Sequence, residues 1–145
     1  MAAAINWNLV SEVEYLRGEL LSRTKHEYLG GVLYAMAGAS NGHHWIATNM
    51  TAALTLGLRV RPCQAFNSDT KIRLRFSSQV RFNHPDASVI CRANPSTDSF
   101  QDEPVVVIEV LSPSTRWLDD GENGKPTSRS HLSKSIEWSR RLMPG

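Results

Sequence analysis

The longest apolar run in the chain is broken by a single charge. Residues 105–111 read Val105-Val106-Val107-Ile108-Glu109-Val110-Leu111, and near-continuous aliphatic sequence of this length predicts a strand covered on both faces. Residues 70–76 alternate instead. Ile72, Leu74 and Phe76 point one way and Lys71, Arg73 and Arg75 the other, the period of a half-buried strand. Residues 80–91 hold a further extended stretch, interrupted or entered at Pro85. Upstream, residues 26–36 predict two short strands about Gly30-Gly31, or one bent strand. After the polar turn of Gly38, Ser40, Asn41 and Gly42, residues Ile46, Met50, Ala53, Leu54 and Leu58 recur at helical spacing from His43 onward, until Pro62 forbids continuation. A shorter helix is expected after Ser11, with Glu14 placed for a capping box and Gly18 as its stop. These elements predict an α/β fold, a mixed sheet with the long helix packed across it.

Past Leu111 the pattern fades. Residues 119–135 combine Gly121, Gly124 and Pro126 with small polar side chains, and Ile136, Trp138 and Leu142 predict no more than a short amphipathic turn. The expected organisation is one domain over residues 9–118 and a divergent, flexible or truncated tail over residues 119–145. The fold would then lack a regular C-terminal portion, leaving the strong strand without cover on that side.

Composition narrows the class. A chain of 145 residues with 41% hydrophobic content supports one core and no second ordinary domain. The net charge of +2 does not mark a nucleic-acid binder, because such proteins carry concentrated basic faces. Cys63 and Cys91 match no zinc-ligand spacing and are expected as buried free thiols, which fits a reducing compartment. No stretch reaches the ~20 apolar residues that a bilayer requires, and the opening residues carry no signal-peptide pattern, so no membrane role and a cytoplasmic location are expected.

The chemistry rests on acids set among apolar residues. Glu109 shares a strand face with Val105, Val107 and Leu111, and an unpaired buried carboxylate costs several kcal/mol or takes up a proton. It therefore needs a cation, a Lys or Arg, or a wet pocket. Asp86 opens the run Ala87-Ser88-Val89-Ile90, and Asp69 precedes the alternating strand. Acids on neighbouring strand ends can converge on one divalent cation, although Asp69 and Asp86 also suit turns and Glu109 a structural ion pair. Lys71, Arg73 and Arg75 form a candidate phosphate-binding stripe, with an ordinary solvated face as the alternative. Trp45 is expected in helix packing and His43 at the helix start. His84 is a weaker candidate for supporting Asp86. No nucleophile-elbow pattern supports a serine hydrolase.

The ordered motifs resemble a known family. Val10-Ser11-Glu12-Val13-Glu14-Tyr15-Leu16, the stretch from His26-Glu27-Tyr28 to Ala37-Gly38, His43 with Ile46, Pro62-Cys63, Ser68-Asp69, His84-Pro85-Asp86 and Val107-Ile108-Glu109-Val110-Leu111-Ser112-Pro113-Ser114-Thr115 are together similar to the Uma2 (DUF820) family. That family comprises restriction-endonuclease-like proteins of the PD-(D/E)XK nuclease superfamily. The resemblance implies Mg2+-dependent hydrolysis of DNA phosphodiesters, with Mn2+ as an alternative ion. It places Asp86 and Glu109 as the principal metal-binding and catalytic acids, with Glu27 and Asp69 assisting. It departs from the family where the lysine of the acid-x-lysine element would stand, since Leu111 occupies that position and Asn123 takes the later lysine-like place. Lys125 is then the substitute candidate for catalysis. DNA and a second copy of the chain are the expected partners. The alternatives are a catalytically impaired DNA- or metal-binding relative and a structural domain that binds another chain.

Overall fold

Ser11 opens the first helix as its spacing predicts. Its hydroxyl accepts the Glu14 backbone N–H while the Glu14 carboxylate accepts from the Ser11 backbone N–H at 2.8 Å, so two otherwise orphaned donors are satisfied. In the computed structural model, which describes residues 9–111 and the backbone of residues 136–139, this helix is α1, Glu12–Leu21. It runs through Gly18, the expected stop, and ends at Leu21 with Ser22 as its cap. Two strands follow, β1 (His26–Leu29) and β2 (Val32–Ala35), paired antiparallel. Gly30 and Gly31 turn between them at φ of 53° and 101°, left-handed conformations that other residues rarely adopt.

The long helix α2 spans Asn41–Gly57, capped by Ser40, whose hydroxyl accepts the His43 N–H at 3.2 Å. Its half-buried face carries His43, Ile46, Met50, Leu54 and Leu58 and packs on strands β3 (Gln64–Asn67), β6 (Ala87–Ile90) and β8 (Pro104–Val110). Trp45 lies on the other face, 72% exposed. The packing role expected for it is not what the fold gives it, because one step of helix turns it away from the stripe that holds Ile46 and Met50.

The single mixed sheet of the sequence reading is two sheets. Five strands run in the order β2-β1-β5-β4-β7, with β4 at Lys71–Arg75, β5 at Val80–Asn83 and β7 at Phe100–Gln101. Four more run β3-β6-β8-β9, where β9 is Ile136–Ser139. The expected break at Pro85 is the crossing point, since β5 and β6 belong to different sheets. All strand pairs are antiparallel except β4 with β7, so the architecture is mixed. The amphipathic turn expected at Ile136 is instead a strand that flanks β8, so this strand is central rather than bare on that side. The remainder of the tail, including Lys125, lies outside the described residues.

Tyr15 of α1, Tyr28 of β1 and Phe82 of β5 hold the first helix to the five-stranded sheet. Their ring centroids lie 5.1 to 5.7 Å apart, in tilted and edge-on contacts. The Tyr15 hydroxyl donates to the His26 carbonyl and the Tyr28 hydroxyl to the Val10 carbonyl, so neither buried phenol is left unsatisfied. In the second sheet every residue of β6 is buried, and Ile108 beside it is fully so.

Cys63 and Cys91 form a disulfide, which corrects the expectation of free thiols. The register that sets Gln64 opposite Ile90 brings the next outward pair, Cys63 and Cys91, face to face. Chain spacing could not reveal this, because it follows from strand pairing. No helix among the described residues is long and apolar enough to cross a membrane. Closing a loop of sequence separation 28 restricts the unfolded chain, so the Cys63→Ser/Cys91→Ser variant is expected to lose about 2–4 kcal/mol of stability in urea titration. Equal midpoints with and without reductant would refute the cross-link.

Candidate functional site

The ladder between β6 and β8 fixes the two acids that the sequence singles out. Ala87 pairs with Ile108, and the same register continued by one residue sets Asp86 opposite Glu109. Directly opposed side chains of an antiparallel pair project to the same face, so both carboxyls leave the sheet together. Glu109 is an exposed residue, but protein crowds the surroundings of its carboxyl. Burial, then the negative charge of Asp86, then that of Glu27 push its pKa up to about 7. Glu27 stands on β1 of the other sheet, so its charge reaches the pair from a different part of the chain.

Asp86 is held from two sides. Its Oδ2 accepts the Val110 backbone N–H at 2.7 Å, and its Oδ1 lies 2.8 Å from Nε2 of His43. Both partners are largely buried, with side-chain exposures of 16% for His43 and 14% for Asp86. A carboxylate only accepts, so the His43 ring carries its proton on Nε2, and Nδ1 is buried with no partner among the described residues. His43 is the contact that sequence reasoning missed. The sequence places it at the helix start, which it does occupy, and its position as third residue of a capped helix also aims its ring at Asp86. The available signal was the capping serine three positions earlier.

The other sequence candidates lie apart from this pair. Asp69, on the turn between β3 and β4, forms an ion pair with Lys25 that lowers its pKa, and no described contact joins it to Asp86 or Glu109. Lys71 is buried, its ammonium reaching the Ser99 carbonyl at 3.4 Å. Arg73 makes a bidentate pair with Asp102 at 2.6 and 2.8 Å, stacks 4.2 Å over the Phe100 ring and reaches Glu12, which also meets Arg75. The three cations therefore do not form an open stripe. Neighbouring acids neutralise the arginines, and the lysine faces inward. His84 is buried, with Nδ1 at 3.1 Å from the Ser68 carbonyl, and burial lowers its pKa. Leu111 follows Val110 in the lysine position and offers no polar atom.

Among the described residues no group of three or more His, Cys, Asp or Glu side chains is arranged to hold a metal ion. Two carboxylates with hydrogen-bonded supports are nonetheless a donor set that Mg2+ accepts, since this ion keeps several waters and needs one or two protein acids. Each Asp86 oxygen retains a second lone-pair direction beyond the hydrogen bond it accepts.

An open α/β fold with this acid pair at adjacent strand positions is consistent with restriction-endonuclease-like topology. The chain belongs to the Uma2 family, whose model, described as "Putative restriction endonuclease", matches residues 13–138. Two relatives come from Synechocystis sp. (strain ATCC 27184 / PCC 6803 / Kazusa). The uncharacterized protein slr1290 is 40% identical over 114 residues, covering 77% of this chain and 58% of the relative. The uncharacterized protein sll1609 is 29% identical over 125 residues, covering 84% of this chain and 70% of the relative. The chain thus spans less than two thirds of the first of these. No solved structure matches.

A carboxyl whose folded pKa is raised from 4.5 to about 7 favours the fold fully below pH 4.5, and that contribution is lost as pH rises through about 7. Glu109→Gln removes the penalty at high pH. In metal-free buffer its stability relative to the parent is expected to increase between pH 5 and pH 8, read from thermal melts. A pH-independent difference would show that Glu109 titrates normally.

Proposed function

We propose that this chain is a divalent-metal-dependent nuclease that hydrolyses DNA phosphodiester bonds, with Asp86 and Glu109 binding the ion. The observation that carries this reading is the register-matched pair of acids, in which burial and then the Asp86 charge push the Glu109 pKa up to about 7. A site that forces two carboxylates together is destabilised at neutral pH unless a cation joins them, and hard oxygen donors select Mg2+ or Mn2+. Family membership supports the same class of chemistry. Such an ion, when bound, would polarise the scissile phosphate and lower the pKa of attacking water. The chain's own residues orient the donors. Val110 and His43 each fix one Asp86 oxygen, and Glu27 adds charge close to Glu109.

A catalytically impaired, metal- or DNA-binding relative is the second reading, favoured by one observation. Leu111 stands where a lysine would steady the developing charge, and among the described residues no basic side chain contacts Asp86 except His43. Loss of one preorganised electrostatic group costs roughly 100- to 1000-fold in rate, which separates a slow enzyme from a binder.

Purified chain incubated with supercoiled plasmid and Mg2+ is expected to nick it. Asp86→Ala and Glu109→Ala should each reduce the rate by at least about 100-fold. Metal-independent nicking, or nicking unchanged in both variants, would end the nuclease reading. Metal binding without turnover would select the second reading. The same preparations examined by light scattering test whether two copies associate.

A further inference from the structure

A cavity of about 490 Å³ lies between the turn that joins β3 to β4 and the segment leading into β7, and neither His43 nor Asp86 lines it. Its lining includes Gln64, Phe66, Lys71, Ser96, Asp98 and Ser99. Phe66 pairs with Ser88, and Ser88 with Val107, two positions from Glu109, so Gln64 and Phe66 share the sheet face from which Glu109 projects.

Lys71 is the unusual member of this lining. An ammonium has three N–H donors, and buried charges are ordinarily fully paired. Here the residue is 8% exposed, and among the described residues its one hydrogen-bond acceptor is the Ser99 carbonyl at 3.4 Å, while the nearby Glu19 charge favours the ammonium without a hydrogen bond to it. Asp69 also lines the cavity, but its charge is met by Lys25. Asp98 accepts from the Asn94 side chain and, among the described residues, pairs with no cation. The cavity therefore presents one under-paired cation, hydroxyls at Ser96 and Ser99, an aromatic wall at Phe66, and further acceptor capacity on the Asp98 carboxylate. It is far larger than a phosphate group and falls within the range of small-molecule sites. A matching ligand carries an anion at one end, an aromatic body, and N–H or O–H donors at the other.

We propose that this cavity binds a single nucleotide, its phosphate on Lys71 and its base against Phe66. The choice of a nucleotide over another aromatic phosphate rests on the nuclease reading, whereas the demand for an anion rests on Lys71 alone. The nucleotide is either free or the 5′ end of a DNA strand. In either case, pairing with phosphate supplies the charge-assisted bonds that the ammonium lacks.

The test is calorimetric titration of the full chain in EDTA, which removes any contribution from a metal at Asp86 and Glu109. The ligands are dAMP, deoxyadenosine, orthophosphate, and one oligonucleotide with and without a 5′-phosphate. Saturable dAMP binding is expected, with deoxyadenosine at least about tenfold weaker. Lys71→Met keeps the apolar stem and is expected to lower dAMP affinity at least about tenfold. Should that variant fail to fold, Ser96→Trp, at an exposed position on the cavity rim, is expected to block binding instead. Tighter binding of the 5′-phosphorylated oligonucleotide than of dAMP identifies a strand end as the ligand, and equal or weaker binding identifies the free nucleotide. Absence of dAMP binding, or affinity unchanged in folded Lys71→Met, overturns the proposal. The Asp86→Asn/Glu109→Gln variant separates the two readings. It is expected to bind dAMP normally, so failure of the nuclease assay leaves the cavity standing, and a cavity without ligand leaves the nuclease reading intact.

Discussion

Asp86 and Glu109 are like charges pressed together by backbone hydrogen bonds. The β6–β8 ladder sets them opposite one another, and neither can withdraw without breaking the register that also buries Ala87, Val89 and Ile108. A one-residue slip would send Glu109 to the opposite face and drive Ile108 out of the core. The hydrophobic interior therefore holds the two acids in place, and the Glu109 pKa is raised first by burial and then by the Asp86 charge. Much of the nearby structure serves this arrangement. The capped start of α2 delivers His43 to one Asp86 oxygen, and the β8 backbone delivers Val110 to the other.

Positive charge is handled differently. Arg73 and Arg75 are tied to Glu12 and Asp102, which links β4 to α1 and to the segment after β7. Such partly exposed pairs contribute modestly to stability, about 0–1 kcal/mol each, and they hold Arg73 closely while Arg75 stays largely exposed. The contact of Arg73 with the Phe100 ring fixes it further. Lys71 is the exception, carrying its charge inside with a single weak acceptor. The acid pair and Lys71 are separate features of the same physical kind, charged groups placed where burial penalises the charge.

Local signals in the chain were reliable where short-range physics decides. The Ser11 cap, the Gly30-Gly31 turn, the α2 stripe and the run ending at Leu111 all rest on backbone geometry or periodicity within a few residues. The acid pair was also legible, because a carboxylate amid aliphatic residues requires an explanation whatever the fold. The motifs around it were sufficient to indicate the family.

Tertiary structure decided what depends on partners distant in sequence. Strand register made Cys63 and Cys91 a disulfide and set Asp86 against Glu109. The alternation at β4 correctly gave a strand but could not show that Asp102 and Glu12 would meet its arginines or that its lysine would face a cavity. Trp45 looked like core by type and lies in solvent, and His43 looked like a helix start and also grips Asp86. Sequence by itself determined which residues are chemically costly to place. The packing of two sheets and a helix determined which neighbour relieves each cost, because that is set by distances between segments whose separation along the chain carries no such information.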